Sequence, residues 1–555
     1  MSDGLEEAVR APSTGVAGDR WWLLGLGIIL LIGLALRLKG IHNPLLDHPG
    51  WRQGDTAGIA RNFFELQYNV MFPQTTYNGP PPNYVELELQ IVPFFAATLY
   101  KIFGLHPIFG RLITMAFSLG TIVVIGSFGR WLFKSANAGL AAAFLFAVFP
   151  GSVYYGRTFT PDTAMVFFLT AALYAVSRLL LEDEAIEPRA LARAAGLLVF
   201  AYLAKPVAVV AVVPLAGLIW ERARLGLRTR PTAIAVLVVI PLVILAMYDQ
   251  RVSAQAEWHW ASGITQLHVL PELREAFTSL HGFVTKLEQF RDVIGMLRAT
   301  MLGTLAFLLT IASIVALPKL ASRSPALLWG WLIGGLAYVF VVVTVERVDY
   351  YMYLLLPLFA LIAGGAIARF IEAVLKADAA PAARYAILGL LPVLAILLVA
   401  QSRAAAGPYY RYSKPVYRNA VALDATLDKK ALVVIGHYGP DVQYYIDRFG
   451  WEEDPAIWTP FDEQSAIRKG ARYFISIEDG RLRANADLCA WISRFPLLDS
   501  SVTWPVYETD PAKVLPGAEK FWRAYRNADR AGKGRAFLDA HHACVVRPAK
   551  TAATP

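Results

Sequence analysis

A succession of long apolar blocks between Trp21 and about residue 401 constrains this chain more than any other feature. The blocks cover 21–36, 109–133, 136–153, 162–180, 194–220, 231–248, 293–317, 325–345, 350–374 and 383–401. A bilayer core takes roughly 20 apolar residues per helix, so each block reads as a membrane span. Block 194–220 is long and carries Lys205-Pro206 in its middle. Proline removes a helix hydrogen bond and clashes with the preceding turn, and a lysine at bilayer depth is costly unless it lines a cavity. This block therefore divides into two short helices that meet at Lys205, for about eleven spans in all. The first block is slightly short, but Arg37 and Lys39 can snorkel at its far end. No cationic segment precedes it and no small-residue cleavage site follows, so it reads as a retained anchor.

Of the 555 residues, 56% are apolar and 17% charged, against about a quarter charged in globular domains. Soluble, disordered and fibrous readings are excluded. The net charge of +9 does not indicate nucleic acid, because the cations sit singly or in small groups between the blocks rather than along one stripe. The positive-inside rule accounts for them. Arg130 and Lys134, then Arg222, Arg224, Arg228 and Arg230, then Lys319 and Arg323, then Arg369, Lys376 and Arg384 mark cytoplasmic loops. The N-terminal tail 1–20 is then cytoplasmic, and 37–108, 154–161, 249–292 and the tail after 401 lie outside.

After Gln401 the chain reads as soluble protein. "ALVVIG" (431–436) and "ARYFISI" (471–477) are short buried strands bounded by glycine and charge, with helical stretches between them. The expected organisation is a membrane domain over 21–401, with a structured first external loop at 37–108, and an α/β domain over 402–555. The only cysteines, Cys489 and Cys544, both fall in this exported tail. Disulfides persist outside the cytoplasm, so the pair is a bridge candidate; two buried free thiols are the alternative.

Chemistry-bearing residues concentrate outside. In "HNPLLDHPGWRQGDTAGIARNFFELQ" (42–67), Ile59, Phe63 and Leu66 form one apolar helical stripe, as in a helix lying in the membrane surface. Asp55 stands at its start. It could be a helix N-cap, worth ~1 kcal/mol, or a general base on an acceptor hydroxyl. Glu86 and Glu88 share a face if the chain is extended and diverge if it is helical; Asp47, among turn residues, reads most simply as a loop acid. In "YYGRTFTPDTAMVFF" (154–168), Asp162 suits a helix start, and Arg157 could meet phosphate or pair with Asp162. Lys205 is a functional candidate or half of a buried ion pair. In "VERVDYYMYLLLP" (345–357), Arg347 offers a planar fork for phosphate, while Tyr350 and Tyr351 offer hydroxyls; an interfacial aromatic belt with an arginine anchor is the plainer reading. Trp258 and Trp260 flank His259 in an external loop, where indoles stack on sugar or sit among headgroups. The external acids leave a divalent metal open, but no ligand spacing demands one.

The segments "WRQGDTAGIARNFFE" (51–65), "YVELELQIVPFFAATLYKIFG" (84–104), "RTFTPDTAMVFF" (157–168), "LAKP" (203–206) and "RVDYYMYLLLP" (347–357), in this order over about 21–401, resemble the bacterial membrane glycosyltransferases of the C-type superfold. This is the broad group of protein O-mannosyltransferases and lipid A aminoarabinose transferases. The resemblance implies a polyprenyl-phosphate sugar donor used on the outer face, transfer with inversion to a cell-envelope glycan, lipid or protein, and no nucleotide. It maps the catalytic base onto Asp55, although Gly54-Asp55-Thr56 lacks the adjacent Glu of many relatives. It maps a further acid onto Glu88 or Glu86, the acid before the fourth span onto Asp162, and the lysine that meets donor phosphate onto Lys205. A sugar phosphate leaves as an anion, so it needs cations, which Lys205, Arg347, Tyr350 and Tyr351 would supply. The alternatives are a ligase or polymerase using a diphosphate-linked glycan, a secondary transporter, or a non-enzymatic export factor.

Overall fold

The computed structural model describes residues 16–182, 186–227, 230–377, 380–498 and 502–544. Most of the expected tail 1–20, and Arg228, lie outside the described residues. The chain divides into two compact units. One holds the residues up to Ile41, Leu112–Tyr248 and Gly263–Pro408; the other holds His42–Arg111, Asp249–Ser262 and the chain from Tyr409.

The first is the membrane unit of a multi-pass α-helical protein. Among the described residues eight helices are long and apolar enough to cross a bilayer, or nine when the bent pair Leu280–Leu302 and Thr304–Lys319 is taken as one span. This differs from the expected count of about eleven because two of the expected spans are shorter helices. Ala136–Val148 is only 13 residues long, stopped at Phe149-Pro150. Pro188–Ala204 is 17 residues long, stopped at Lys205-Pro206. Each proline follows a residue of extended ψ, as the clash of its ring with the preceding backbone requires. Block 293–317 is not straight either: the chain turns by 114° at Gly303, whose φ of +76° suits a residue without a Cβ.

Small residues let these helices meet closely. A Cβ on Gly139 would lie 2.4 Å from the Gly126 carbonyl oxygen, so Ile108–Leu132 and Ala136–Val148 touch backbone to backbone, the packing that replaces hydrophobic drive in lipid. Leu356–Lys376 also packs on Ala136–Val148, and Asp162–Leu181 packs on Pro188–Ala204. Arg37, fully buried at the end of Val16–Arg37, donates to Ser118 Oγ at 2.9 Å, Ser152 Oγ at 2.7 Å and the Ala147 carbonyl at 3.1 Å. It is tied into the bundle and does not snorkel as the sequence suggested.

In the second unit, two short strands, β1 (Val85–Glu86) and β2 (Trp258–His259), pair in parallel. The C-terminal sheet has β3 (Leu432–Gly436) between β4 (Gly450–Glu453) and β5 (Ala471–Ser476), all parallel, with β6 (Val506–Glu508) antiparallel on β5. The expected strands at 431–436 and 471–477 are β3 and β5. Alternation sends Val433, Ile435 and Ile475 to one face, against Leu423, Val442 and Ile446, and Val434 and Phe474 to the other, against Leu488 and Tyr525. Cys489 and Cys544 are joined by a disulfide, with Cα atoms 5.8 Å apart.

Helix Gly50–Glu65 belongs to this unit and is not a surface helix. Every residue from Arg52 to Phe63 is buried. Ile59 and Phe63 pack on Ile91–Phe103, while helix Pro440–Ile446 packs against Gly50–Glu65 as well. The approach is tightest at Gly54, where a Cβ would lie 2.3 Å from Asp441 Cα and 2.4 Å from its backbone nitrogen. Arg61, off the apolar stripe, is covered by a segment nearly 400 positions later, where it donates to the Tyr444 carbonyl at 2.9 Å.

Candidate active site

Asp55 lies in the second turn of Gly50–Glu65, whose N-cap position is Pro49. The N-cap reading of Asp55 is thus excluded. Its side chain is 2% exposed, and both oxygens are held: Oδ2 accepts from Arg52 Nη1 at 2.8 Å and Oδ1 from the Tyr77 hydroxyl at 2.8 Å. Arg52 stands three residues earlier, where helical spacing brings side chains together. Its other nitrogen, Nη2, pairs with Glu88 Oε1. Two carboxylates thus share one guanidinium. Burial pushes the Asp55 carboxyl above the ordinary carboxylate range, against the pull of Arg52 and of the Tyr77 hydrogen bond, with Glu88 adding to the rise. Burial, then the charge of Asp55, drives the Tyr77 phenol well up, so it stays a donor.

The chain separates Glu86 from Glu88. Glu86 Oε2 accepts from Ser262 Oγ at 2.6 Å and lies 3.3 Å from His259 Nδ1, beside the β1–β2 pair. Only Glu88 joins Asp55. Asp47 is a structural acid: fully buried, it accepts from Arg111 at 2.9 Å and from Gln53 at 2.7 Å.

The membrane unit carries a second cluster. Lys205 ends its helix in an extended conformation, with φ −164° and ψ 120°. Its ammonium donates to Asp162 Oδ1 at 2.5 Å. Asp162 is the first residue of Asp162–Leu181, and its Oδ2 has no hydrogen-bond partner among the described residues. The ammonium also lies 4.5 Å from the ring centroid of Tyr351 and 5.2 Å from that of Tyr350. These tyrosines therefore offer Lys205 ring faces, which attract cations, besides the hydroxyls anticipated from sequence. Tyr350 also meets the ring of Tyr155, whose hydroxyl donates to Asp349 at 2.5 Å. Arg157 is fully buried, donates to the Gly40 carbonyl at 2.9 Å and stacks over Tyr154. Arg347 is exposed, with φ +50°, and Nε reaches the Thr344 carbonyl at 3.4 Å.

The structure thus joins Asp55 with Glu88 in one unit, and Asp162 with Lys205, Tyr350 and Tyr351 in the other. Sequence reasoning missed Arg52 and Tyr77. Arg52 was within reach of it, since Arg-x-x-Asp on a helix is an i,i+3 ion pair. Tyr77, 22 positions away in a turn-rich stretch, carried no periodic signal. Among the described residues, no group of three His, Cys, Asp or Glu side chains is arranged to hold a metal ion.

Residues 90–248 match the family described as dolichyl-phosphate-mannose-protein mannosyltransferase. No curated protein matches the chain. Solved structures do. The archaeal oligosaccharyltransferase AglB from Archaeoglobus fulgidus, in complex with an inhibitory peptide and a dolichol-phosphate, superposes with a TM-score of 0.56 at 14% identity, over 88% of this chain and 74% of that one. The apo form of the A. fulgidus oligosaccharyltransferase gives 0.58 at 14% identity, over 86% and 73%. ArnT from Cupriavidus metallidurans, bound to undecaprenyl phosphate, gives 0.54 at 13% identity, over 89% and 99%. At these identities the likeness is one of architecture, and the chain shares the fold of the AglB and ArnT structures.

Proposed function

We propose that this protein is a membrane glycosyltransferase that moves a sugar from a polyprenyl-phosphate donor to a cell-envelope acceptor on the periplasmic face of the inner membrane. Transfer inverts the sugar in one displacement. The acceptor oxygen bonds to the anomeric carbon, the bond from that carbon to the phosphate oxygen breaks, and the electron pair leaves with the phosphate. Asp55 takes the acceptor proton. Lys205 holds the donor phosphate: an ammonium has three donors, and Asp162 occupies one. Tyr350, Tyr351 and Arg347 complete the donor site, Asp162 orients Lys205, and Glu88 orients Arg52 against Asp55. Glu86 and Arg157 shape the binding surfaces. The N-terminus is cytoplasmic and the domain over 402–555 periplasmic.

One observation carries this reading: a buried carboxylate whose affinity for protons is raised by its surroundings while a guanidinium and a phenol fix its orientation. A general base works best when its pKa approaches the working pH. Each carboxylate oxygen has a second lone pair, so Asp55 can accept a substrate hydroxyl without losing Arg52 or Tyr77. The donor class is supported by two structures of the same fold, which hold dolichol-phosphate and undecaprenyl phosphate.

The test uses the full chain in detergent with a polyprenyl-phosphate sugar and a cell-envelope extract. Asp55→Asn keeps the shape and removes the base, so transfer falls by about 10²–10⁴-fold. Full turnover by a folded Asp55→Asn protein would refute the role. Turnover only with a diphosphate-linked glycan identifies the ligase or polymerase alternative.

A further inference from the structure

Four aromatic rings gather on the turn of helix that carries Asp55. Trp51 stands one turn before it, on the same face. The Trp51 ring centroid lies 6.0 Å from that of Trp260, 6.4 Å from that of Tyr77 and 6.4 Å from that of Tyr438. Tyr77 and Trp260 are 6.4 Å apart, edge to face. The four come from the three separate stretches of chain that form the external unit. Exposure is graded: Tyr77 is 2% exposed, Trp51 and Trp260 are half-buried, and Tyr438 is 50% exposed. The rings therefore form a wall that begins at the tyrosine bonded to Asp55 and opens outward.

Simple core packing does not explain this wall. The indole N–H groups of Trp51 and Trp260 are both buried and find no acceptor among the described residues. A buried indole normally finds a partner, and leaving a buried donor unmade is costly. Two such donors on adjacent rings, beside a bound carboxylate, describe a surface that waits for oxygen acceptors. The matching ligand presents an apolar C–H face to the rings and hydroxyls at its edge. A pyranose has this form. A peptide chain would instead need backbone pairing or charge, and a lipid chain offers no acceptors.

We propose that Trp51, Trp260, Tyr77 and Tyr438 form a sugar-binding platform for the acceptor, so that the acceptor of transfer is itself a glycan. The ring stacks on the indoles, its oxygens accept from the two N–H groups, and the hydroxyl to be glycosylated points toward Asp55. This rests on the transferase reading, and the indoles act by positioning.

Saturation-transfer NMR on the full chain in detergent micelles tests it. The probes are the methyl glycosides of glucose, galactose, mannose, rhamnose and N-acetylglucosamine. Irradiation of aromatic protons should transfer to ring protons of at least one glycoside. Trp260→Ala should weaken that binding at least about tenfold, or about 1.4 kcal/mol. Trp51→Phe, which keeps a ring and removes the N–H, should weaken it as well. Trp258→Ala should leave it unchanged, because Trp258 sits in β2 and is 42% exposed. Absence of transfer to every glycoside, or equal transfer in all three variants, overturns the platform. Glycoside binding without release of polyprenyl phosphate would keep the platform and remove the transferase reading. Donor turnover with an envelope extract but without glycoside binding would do the reverse.

Discussion

Gly54→Ala adds one methyl group to the helix of Asp55, and its cost can be read from the structure. The new Cβ would sit 2.3 Å from Asp441 Cα, 2.4 Å from Asp441 N and 2.8 Å from Pro440 C. Carbon atoms rest at about 3.5–4.0 Å, so the overlap exceeds about 1 Å and falls on backbone that cannot rotate away. Helices Gly50–Glu65 and Pro440–Ile446 must separate. Overpacking of this kind costs about 1–3 kcal/mol, and the gain from replacing a helical glycine, roughly 0.5–1 kcal/mol, offsets only part. Displacement by about 1 Å next to Asp55, the proposed base, should also lower turnover about 10²-fold. Gly58→Ala, one turn along the same helix, is the matched control: its Cβ would meet Thr76 at 3.4 and 3.5 Å, an ordinary contact, so it should keep turnover and gain a few tenths of a kcal/mol or more. The assay is thermal unfolding of the purified protein alongside sugar transfer. Equal unfolding midpoints and equal turnover for the two variants would refute the argument that backbone contact at Gly54 sets the position of Asp55.

Three further outcomes follow from the same geometry. Tyr77→Phe removes a hydrogen bond that lowers the Asp55 pKa, so the acid limb of the pH–rate profile should move to higher pH; an unmoved limb would remove Asp55 as the titrating base. Lys205→Met leaves Asp162 buried without its cation and should destabilise by about 3–5 kcal/mol with loss of transfer, whereas the double variant Lys205→Met/Asp162→Leu should recover unfolding stability but not activity. In the second unit, burial alone would lower the His437 pKa, but Asp441 and Glu478 outweigh it and raise it to about 9 from 6.5. A folded pKa above the unfolded value gives stability that is full below about pH 6.5 and lost as pH rises to about 9. His437→Gln should flatten unfolding stability over that window; an unchanged slope would refute the assignment.

The membrane part was legible because apolar length is a direct physical signal. Pro150 interrupts block 136–153 because a helix stops where a hydrogen bond is removed, even when the apolar block continues. The break at Lys205 was readable for that reason, and its partner Asp162 was already a candidate from the loop before its helix. The Asp55 cluster was half legible. Asp55 stood out, Glu86 and Glu88 could not be told apart, and Arg52 was missed although its i,i+3 spacing to Asp55 was there to read. Helix Gly50–Glu65 read as amphipathic because its cover, Pro440–Ile446, is remote in sequence. The aromatic wall was unreadable for the same reason: Trp51, Trp260 and Tyr438 become neighbours only through contacts that no local periodicity encodes.

The burial of Gly50–Glu65 against Pro440–Ile446 also has a temporal side. At roughly 5–20 residues per second, a ribosome takes on the order of tens of seconds to travel from one helix to the other. Throughout that interval the acid-bearing segment has been made and its lid has not. The nascent protein must therefore complete most of its long apolar helices while a half-covered polar helix waits for its cover. Chaperone dependence and sensitivity to slowed synthesis should concentrate in this gap, and a ribosome that stops short of residue 440 would release a chain whose acid-bearing helix is left uncovered.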